Sequence, residues 1–308
     1  MKKLLLCMAV AVATIGNAQQ FEVVEIQRIK TGAQQAFHPR FMPDGKTLLV
    51  TSEAYDGLAI VDMEKGTYNT LTTMDGAGWL PAISEDGKTI LTRCKNEADL
   101  SHTIYTLDVA TKNLTVVAEN IEHVNNLGFD NGVATIGIEG KAVVKTVSRA
   151  LTPVRKADNI LLTNEDLKLV LYRNGVRTVL DPLKGQFGTW DTQYCWASLS
   201  PDRTRILFYC YQNAYTCNLD GSNVVKVGEI QAPQWRGNDH VVGMNDEHDG
   251  YFNTKSDIVI SRVDGTQLQQ LTPASSEIKM FPSVSADGSQ IAFHTEDGKI
   301  YVMTIKEK

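Results

Sequence analysis

Short runs of alternating apolar and polar residues, divided by turn residues, fill the last part of the chain. Three such runs, Pro282–Ser285, Gln290–His294 and Lys299–Ile305, are separated by Asp287-Gly288 and Asp297-Gly298. Alternation with a period of two is typical of a strand with one buried face. Asp-Gly between two such runs is a strong hairpin signal, because glycine adopts a positive φ at little cost. The pattern therefore predicts three short antiparallel strands.

Imperfect copies of this unit recur along the whole chain, at intervals of 35 to 49 residues. Apolar residues two apart recur four and six residues after each turn position, as expected for one face of a strand. A period near 40 residues built from short strands is the sequence sign of a β-propeller. The turn positions of the seven copies are Asp44, Asp86, Asp130, Glu165, Asp202, Asn238 and Asp287. The paired positions that follow them are Leu48 and Val50, Ile90 and Thr92, Ala134 and Ile136, Leu169 and Leu171, Ile206 and Phe208, Val242 and Met244, and Ile291 and Phe293.

The last unit holds only three predicted strands, while Phe21–Ile29 reads as a strand that precedes the first unit. Pairing of this N-terminal strand with the last unit completes a four-stranded blade and leaves no exposed sheet edge at the seam. We therefore predict an all-β fold, a single β-propeller of four-stranded blades over residues 19–308. Seven blades are favoured and six are the alternative.

The N-terminus has the pattern of a secretory signal peptide. Met1-Lys2-Lys3 supplies a basic start, Leu4–Ile15 an apolar core, and Gly16-Asn17-Ala18 a small-residue end, so residues 1–18 are predicted to be cleaved. The apolar run is too short to span a bilayer. Cys7 lies inside that run after Leu6, which does not match a lipidation site. These features predict a periplasmic or secreted protein with no membrane span.

Charge and motifs narrow the function classes. The formal net charge is −6, and no cluster of lysine and arginine stands out, which argues against a nucleic-acid partner. The sequence has no Gly-x-Ser-x-Gly, His-Glu-x-x-His, phosphate-binding glycine loop or Cys-x-x-Cys motif. A monomer that binds its partner without catalysis is the favoured interpretation.

Phe41-Met-Pro-Asp-Gly45, Leu199-Ser-Pro-Asp202 and Val284-Ser-Ala-Asp-Gly288 share one motif, and Leu71-Thr72 and Leu271-Thr272 share a second. Together these motifs resemble the TolB-type WD40-like (PD40) repeat over nearly the whole chain after residue 18. The resemblance implies a β-propeller. It leaves function open, because such propellers serve as scaffolds, inhibitors and accessory domains of enzymes.

In a propeller blade, the loops between the second and third strands share one face with the blade-to-blade connections. We call this the loop face, and the opposite one the turn face. Sequence variety concentrates in segments predicted for the loop face, where function usually resides. We expect a protein- or glycan-binding surface there; the alternative function is a carbohydrate-active enzyme, such as a polysaccharide lyase, with its site at the channel mouth. The candidate partner-binding residues are Trp79, Tyr55, His38, His102, His123, Tyr251 and Phe252.

The segment Asn245–Gly250 is the one candidate metal site. Asp246, Glu247 and Asp249 resemble the first half of a calcium loop, where oxygen ligands surround the ion. The twelfth position of such a loop is Ser256, which supplies no carboxylate, so we expect a solvated acidic loop and no cofactor.

Four cysteines follow the predicted signal peptide: Cys94, Cys195, Cys210 and Cys217. Export permits disulfide bonds. Cys210 is predicted to lie roughly opposite Cys195 on the neighbouring strand, or opposite Cys217 across the next hairpin. The two pairings exclude each other.

Overall fold

The structure is a computed structural model. It describes residues 20–32, 34–130, 133–138, 141–146, 160–188, 192–273, 275 and 277–308. The predicted signal peptide, residues 1–18, lies outside the described residues. Regular structure in the described ranges consists of β-strands. These ranges contain no helix with the length and apolar character needed to cross a membrane.

The strands form seven antiparallel sheets, which we number as blades 1 to 7 in chain order. In blades 1 to 6 each sheet is a simple up-and-down arrangement in which strands that are neighbours in the chain pair, while blade 7 also pairs the first strand with the last. Blade 1 contains β2 (Phe37–Phe41), β3 (Thr47–Thr51), β4 (Leu58–Asp62) and β5 (Thr67–Thr72). Blade 2 contains β6 (Ala82–Ile83), β7 (Thr89–Lys95), β8 (His102–Asp108) and β9 (Leu114–Ile121). Blade 3 contains β10 (Val124–Asp130), β11 (Val133–Ile138) and β12 (Lys141–Thr146), and blade 4 contains β13 (Ile160–Glu165), β14 (Lys168–Arg173) and β15 (Val176–Leu180).

The remaining three blades each have four strands. Blade 5 contains β16 (Cys195–Leu199), β17 (Arg205–Cys210), β18 (Asn213–Asn218) and β19 (Val225–Gly228). Blade 6 contains β20 (Gln231–Arg236), β21 (His240–His248), β22 (Asn253–Arg262) and β23 (Gln269–Gln270). Blade 7 contains β24 (Lys279–Val284), β25 (Gln290–Thr295), β26 (Ile300–Glu307) and, from the N-terminus, β1 (Phe21–Ile29).

The predicted closure by the N-terminal strand is confirmed. β1 pairs antiparallel with β26, from Phe21 opposite Glu307 to Ile29 opposite Ile300. The side chain of Gln269 in blade 6 adds two hydrogen bonds to the backbone of Phe21, at 3.0 and 2.8 Å. The two ends of the chain are therefore joined within one sheet, which leaves β26 paired on both sides.

The core lies between the blades. Buried side chains form separate clusters, and six of these draw on two neighbouring blades each, including blades 7 and 1 at the seam. Between blades 3 and 4, Leu161 packs against Gly137, where an added methyl group would lie 3.2 Å from the leucine. Both faces of a blade are thus buried against neighbours. The fourteen paired positions predicted from the repeat are all buried, as expected for residues that share one buried face of a strand.

Turns on the turn face have a common hydrogen-bond pattern. In Ser285-Ala-Asp287 the serine hydroxyl donates to Oδ1 of Asp287 at 2.6 Å and accepts the backbone N–H of Gln290 at 2.9 Å. Ser84 and Ser200 make the equivalent pairs of bonds. At the Asp287 turn, the hydrogen bond from the Ser285 hydroxyl is the largest of the effects that lower the pKa of Asp287 to about 2. The Ser-x-Asp motif is therefore a structural turn, as the repeat predicts.

Blade 4 departs from the predicted repeat. The carbonyl oxygen of Ile160 at the start of β13 accepts a bond from Arg203 on the turn face, at 3.0 Å. Asn164 near its end donates to the carbonyl of Tyr194, in the connection that leads into blade 5, at 2.9 Å. β13 therefore runs towards the loop face, opposite to β16, and the turn at Glu165 is not on the turn face as predicted. Alternating apolar residues identify a buried face but carry no information on strand direction.

The four cysteines are free thiols. Cys195 lies opposite Tyr209, one residue from Cys210, while Cys210 lies opposite Asn213 and Cys217 opposite Ile206. Neither of the two alternative pairings is therefore present. Burial raises the pKa of the Cys210 thiol to about 11 and that of Cys217 to about 12.

Candidate functional site

The innermost strands of five blades carry the same backbone irregularity. In each of these blades one non-glycine residue, at the start of the strand or just before it, has a positive φ between 44° and 51°. In four of these blades the strand pairing shifts at this residue, which is the signature of a β-bulge. A proline or alanine follows and resumes the extended chain. The five residues are His38, Leu80, Trp196, Ala232 and Phe281.

All five of these residues line the central channel, which has a volume of about 470 Å³. A bulge changes the direction of a side chain, so the repeated bulge supplies a ring of residues to the channel. The positive φ of these non-glycine residues stores backbone strain that the surrounding sheets maintain. The sequence signal for this ring is the dipeptide of a variable residue and proline, as in His38-Pro39 and Phe281-Pro282.

A chain of aromatic rings connects the channel to the loop face. His38 stacks on Tyr55 with ring centroids 4.2 Å apart, and Tyr55 meets the edge of Trp79 at 4.7 Å. On its other side His38 contacts Phe281 at 4.7 Å and His294 at 4.9 Å. Burial, followed by the neighbouring His294, lowers the pKa of His38 to about 3. His38 is therefore neutral at pH 7 and acts here as an aromatic ring.

A second cavity, of about 1020 Å³, adjoins the channel at Tyr55 and Trp79. Four of the predicted binding residues line it: Tyr55, Trp79, His102 and His123. His38 lines the channel next to them. The structure thus brings together five of the seven predicted binding residues. We call this second space the loop-face cavity.

One wall of the loop-face cavity is a hydrogen-bond network that sequence reasoning missed. Glu165 accepts bonds from Tyr172 at 2.6 Å, from Asn125 at 3.2 Å and from Arg177 at 3.0 and 2.8 Å. Burial, followed by the Glu165 carboxylate, raises the pKa of Tyr172 to about 12. The reversed direction of β13 is what places Glu165 here.

Arg93, which sequence reasoning also missed, lies in the floor of the cavity. It is 4% exposed, and its Nη1 donates to the carbonyl of Val124 at 3.0 Å. The β7–β8 register places Arg93, Lys95 and His102 on the same face of blade 2. Burial, followed by the charge of Arg93, lowers the pKa of His102. A charged residue in a strand whose two faces are both expected to be buried was the signal that could have identified Arg93.

The other two predicted binding residues lie elsewhere. Tyr251 and Phe252 are at the tip of the β21–β22 hairpin, 92% and 71% exposed, and line neither cavity. The hairpin projects from blade 6 on the loop face. They therefore form a separate exposed apolar tip.

The predicted acidic loop is mostly strand. Asp246 and Glu247 are neighbours in β21, so their side chains point to opposite faces of the hairpin. Glu247 pairs with Lys255 at 3.2 Å. Asp249 accepts the backbone N–H groups of Tyr251 and Phe252, both at 2.9 Å. Within the described ranges, no three His, Cys, Asp or Glu side chains are grouped in a way that would hold a metal ion.

Comparisons with known proteins agree with the architecture. No protein-family model matches the chain, and no curated protein matches it. TolB from Acinetobacter baumannii is similar with a TM-score of 0.54 and 15% identity, over 80% of this chain and 56% of that chain. The WD40 repeats of RRP9 give a TM-score of 0.64 at 10% identity, over 93% of this chain and 100% of that chain. A chain of the Mitotic Checkpoint Complex gives a TM-score of 0.61 at 10% identity, over 99% of this chain and 98% of that chain. At these identities the likeness is one of fold, and the chain has the fold of a TolB-like repeat β-propeller.

Proposed function

We propose that this protein is an exported β-propeller that binds a protein or glycan partner on its loop face, without catalysis. The observation that carries the proposal is the convergence of Tyr55, Trp79, His102 and His123 on one large cavity. Trp79 is 47% exposed there, although a tryptophan is normally placed in a core or at an interface. A cavity of this size lined by aromatic and polar side chains is the usual form of a ligand site.

Export is part of the proposal and rests on the sequence of residues 1–18. A basic start, an apolar core and a small-residue end are the three parts of a cleavable signal peptide. The proposal gives the mature protein a periplasmic or extracellular location. Mass spectrometry of the purified protein should find a mature N-terminus at Gln19.

Binding is tested by probing a glycan array and an extracellular protein extract with the labelled protein. We expect capture that the Trp79→Ala variant loses. Tyr251→Ala tests the separate hairpin tip. The matched control is Lys46→Ala/Lys88→Ala, which changes two exposed residues of the turn face. Capture that only the control variant loses would place the partner on the turn face and contradict the proposal.

A second candidate, the polysaccharide lyase, is favoured by one observation. Arg93, His102, His123, Glu122 and Arg177 gather around the loop-face cavity. The Nδ1 atom of His102 has no hydrogen-bond partner in the described part of the chain. A neutral imidazole can accept the proton next to a uronate carboxylate while a C=C bond forms and the glycosidic C–O bond breaks, and the departing oxygen takes up a proton from solvent. An increase in ultraviolet absorbance from the unsaturated product, lost in the His102→Gln variant, would establish lyase activity. If no uronate polysaccharide gives this increase, the lyase is refuted and the non-catalytic binding function stands.

A further inference from the structure

Arg93 is a buried cation with unused hydrogen-bond donors. Its side chain is 4% exposed, and its Nη1 donates to the carbonyl of Val124 at 3.0 Å. Its Nε and Nη2 have no hydrogen-bond partner among the described residues. A buried charge without a partner is costly, so such groups are normally paired with an anion. The two free donors therefore point to an anion that is absent from the isolated chain.

The nearby carboxylate of the cavity wall is already occupied. Glu165 is held by Arg177, Tyr172 and Asn125, and no bond links it to Arg93. Asp166 and Glu122 are exposed at the rim. An anion that enters the cavity thus meets Arg93 as the buried cation.

The geometry of the donors indicates which anion fits. A guanidinium offers parallel N–H groups that match the two oxygens of a carboxylate. The cations Arg93, Lys95 and Arg177 are balanced by Glu122, Glu165 and Asp166 in the lining. One carboxylate is compatible with this balance, whereas a phosphate dianion would add a larger excess of negative charge. Burial lowers the pKa of Arg93 only to about 10, so the guanidinium remains charged at pH 7.

The rest of the cavity indicates what carries the carboxylate. Trp79 stands against Tyr55 at an interplanar angle of 80° and exposes nearly half of its surface at the rim. An exposed indole face packs against the C–H groups of a pyranose ring, and the amide oxygens of Asn125 and Asn164 in the lining can accept hydrogen bonds from its hydroxyls. A volume of about 1020 Å³ is at the upper end for small-molecule sites and exceeds the size of one sugar.

We infer that the loop-face cavity binds a short acidic oligosaccharide, with Arg93 holding a uronate carboxylate and Trp79 stacking on a sugar ring. This inference rests on the proposed function and names the ligand class of the same site. His102 and Lys95 lie on the same face of blade 2 as Arg93 and complete the polar side of the site.

Calorimetric titration with uronate trisaccharides tests the inference. The probes are the galacturonate, mannuronate and glucuronate series, each compared with its carboxyl-reduced, neutral counterpart. We expect at least one acidic trisaccharide to bind and its neutral counterpart to bind about 10- to 100-fold more weakly, the effect of charge-assisted hydrogen bonds. The comparison of the two sugars uses the unaltered protein, so it does not depend on the folding of any variant.

Two substitutions assign the contact to Arg93. Arg93→Met removes the charge with a side chain of similar shape, and Arg93→Lys keeps the charge but loses the paired donors. Both substitutions should weaken binding of the acidic trisaccharide about as much as carboxyl reduction of the sugar does. Neither should change the affinity for the neutral sugar. Arg236→Met is the matched control, because Arg236 lies on the turn face, where it bonds the carbonyl of Gly288 at 2.8 Å.

The outcomes separate this inference from the proposed function. Equal affinity of Arg93→Met and wild type for the acidic sugar would overturn the carboxylate contact. If capture of a protein, a peptide or a neutral glycan requires Trp79 but not Arg93, the assignment to an acidic sugar is overturned. The proposed binding function on the loop face would then still stand. Loss of all loop-face capture, together with no uronate binding, would overturn both.

Discussion

Protonation of His294 should destabilise the protein between about pH 6.5 and pH 4. His294 is 1% exposed, and its ring stacks on Phe281 at 5.6 Å and meets the edge of Phe37 at 5.3 Å. Its Nδ1–H donates to the carbonyl of Thr295 at 3.0 Å, and Nε2 has no partner in the described ranges. A second proton would therefore charge the ring at Nε2, in an apolar site without an acceptor. Burial accordingly lowers the pKa of His294 to about 4.

The direction and size of the effect follow from the difference between folded and unfolded pKa. The unfolded chain takes up the proton near pH 6.5 and the folded chain near pH 4, so the unfolded state binds more protons in this window. The stability that His294 contributes is complete above pH 6.5 and is lost as the pH falls through 4. The pKa difference corresponds to about 3 kcal/mol in the free energy of unfolding, most of which is lost by about pH 4.5. His38 changes stability in the same direction, and its exposure reduces the effect.

Urea unfolding of wild type and His294→Phe at a series of pH values measures the effect. Phenylalanine keeps the ring packing and has no proton to bind. We expect the wild-type unfolding free energy to fall by about 2.5 kcal/mol more than that of the variant between about pH 7.5 and pH 4.5. The control His248→Asn, at an exposed position of the β21–β22 hairpin, should leave the pH dependence unchanged. Parallel curves for wild type and His294→Phe would refute the reasoning.

Three further predictions concern closure, calcium and a buried ion pair. Deletion of residues 19–30 removes β1 and exposes the edge of β26, so we expect aggregation or loss of cooperative unfolding; a soluble truncated chain with an unchanged melting temperature would contradict this. Added calcium should leave the melting temperature unchanged, since Asp249 is engaged by the hairpin backbone; a rise that Asp249→Ala abolishes would show the opposite. Lys279 bonds Asp257 at 2.9 Å with both side chains buried, so Lys279→Met should cost about 3–5 kcal/mol and Lys279→Met/Asp257→Leu much less. Equal unfolding free energies of these two variants would argue against an uncompensated charge.

Much of the fold was predictable because its signals are local. The period of two in strands such as Gln290–His294 is visible without any knowledge of neighbours, and so are Asp-Gly turns. Closure was predictable from the number of strands in each unit. Phe21–Ile29 was a predicted strand outside any unit, and the last unit was one strand short of four. The predicted bounds of that strand agree with β1. The candidate residues Tyr55 and Trp79, proposed as additions to the repeat on the loop face, line the loop-face cavity, and their role in binding stays a prediction.

The errors arose where one sequence pattern is compatible with several three-dimensional arrangements. Glu165 was assigned to the turn face because the apolar pattern of β14 fits a strand of either direction. Tyr251 and Phe252 were predicted for the same face as Trp79, and their role in binding stays a prediction, but a shared face does not bring side chains into one cavity. A calcium site that includes Asp246 and Glu247 was the less favoured alternative to a solvated loop, and strand pairing turns these two side chains to opposite faces.

The sequence by itself determined the strand units and one buried face of each strand, because alternation and turn chemistry act within a few residues. It favoured seven blades and left six as the alternative. Only the tertiary structure decided the direction of β13, and with it the presence of Glu165 and Arg177 in the cavity wall. It alone also showed that Arg93 is buried with two unused donors, since burial depends on blade 3 as well as on blade 2. A site formed between blades depends on how their edges meet around the ring, and no single repeat contains that information.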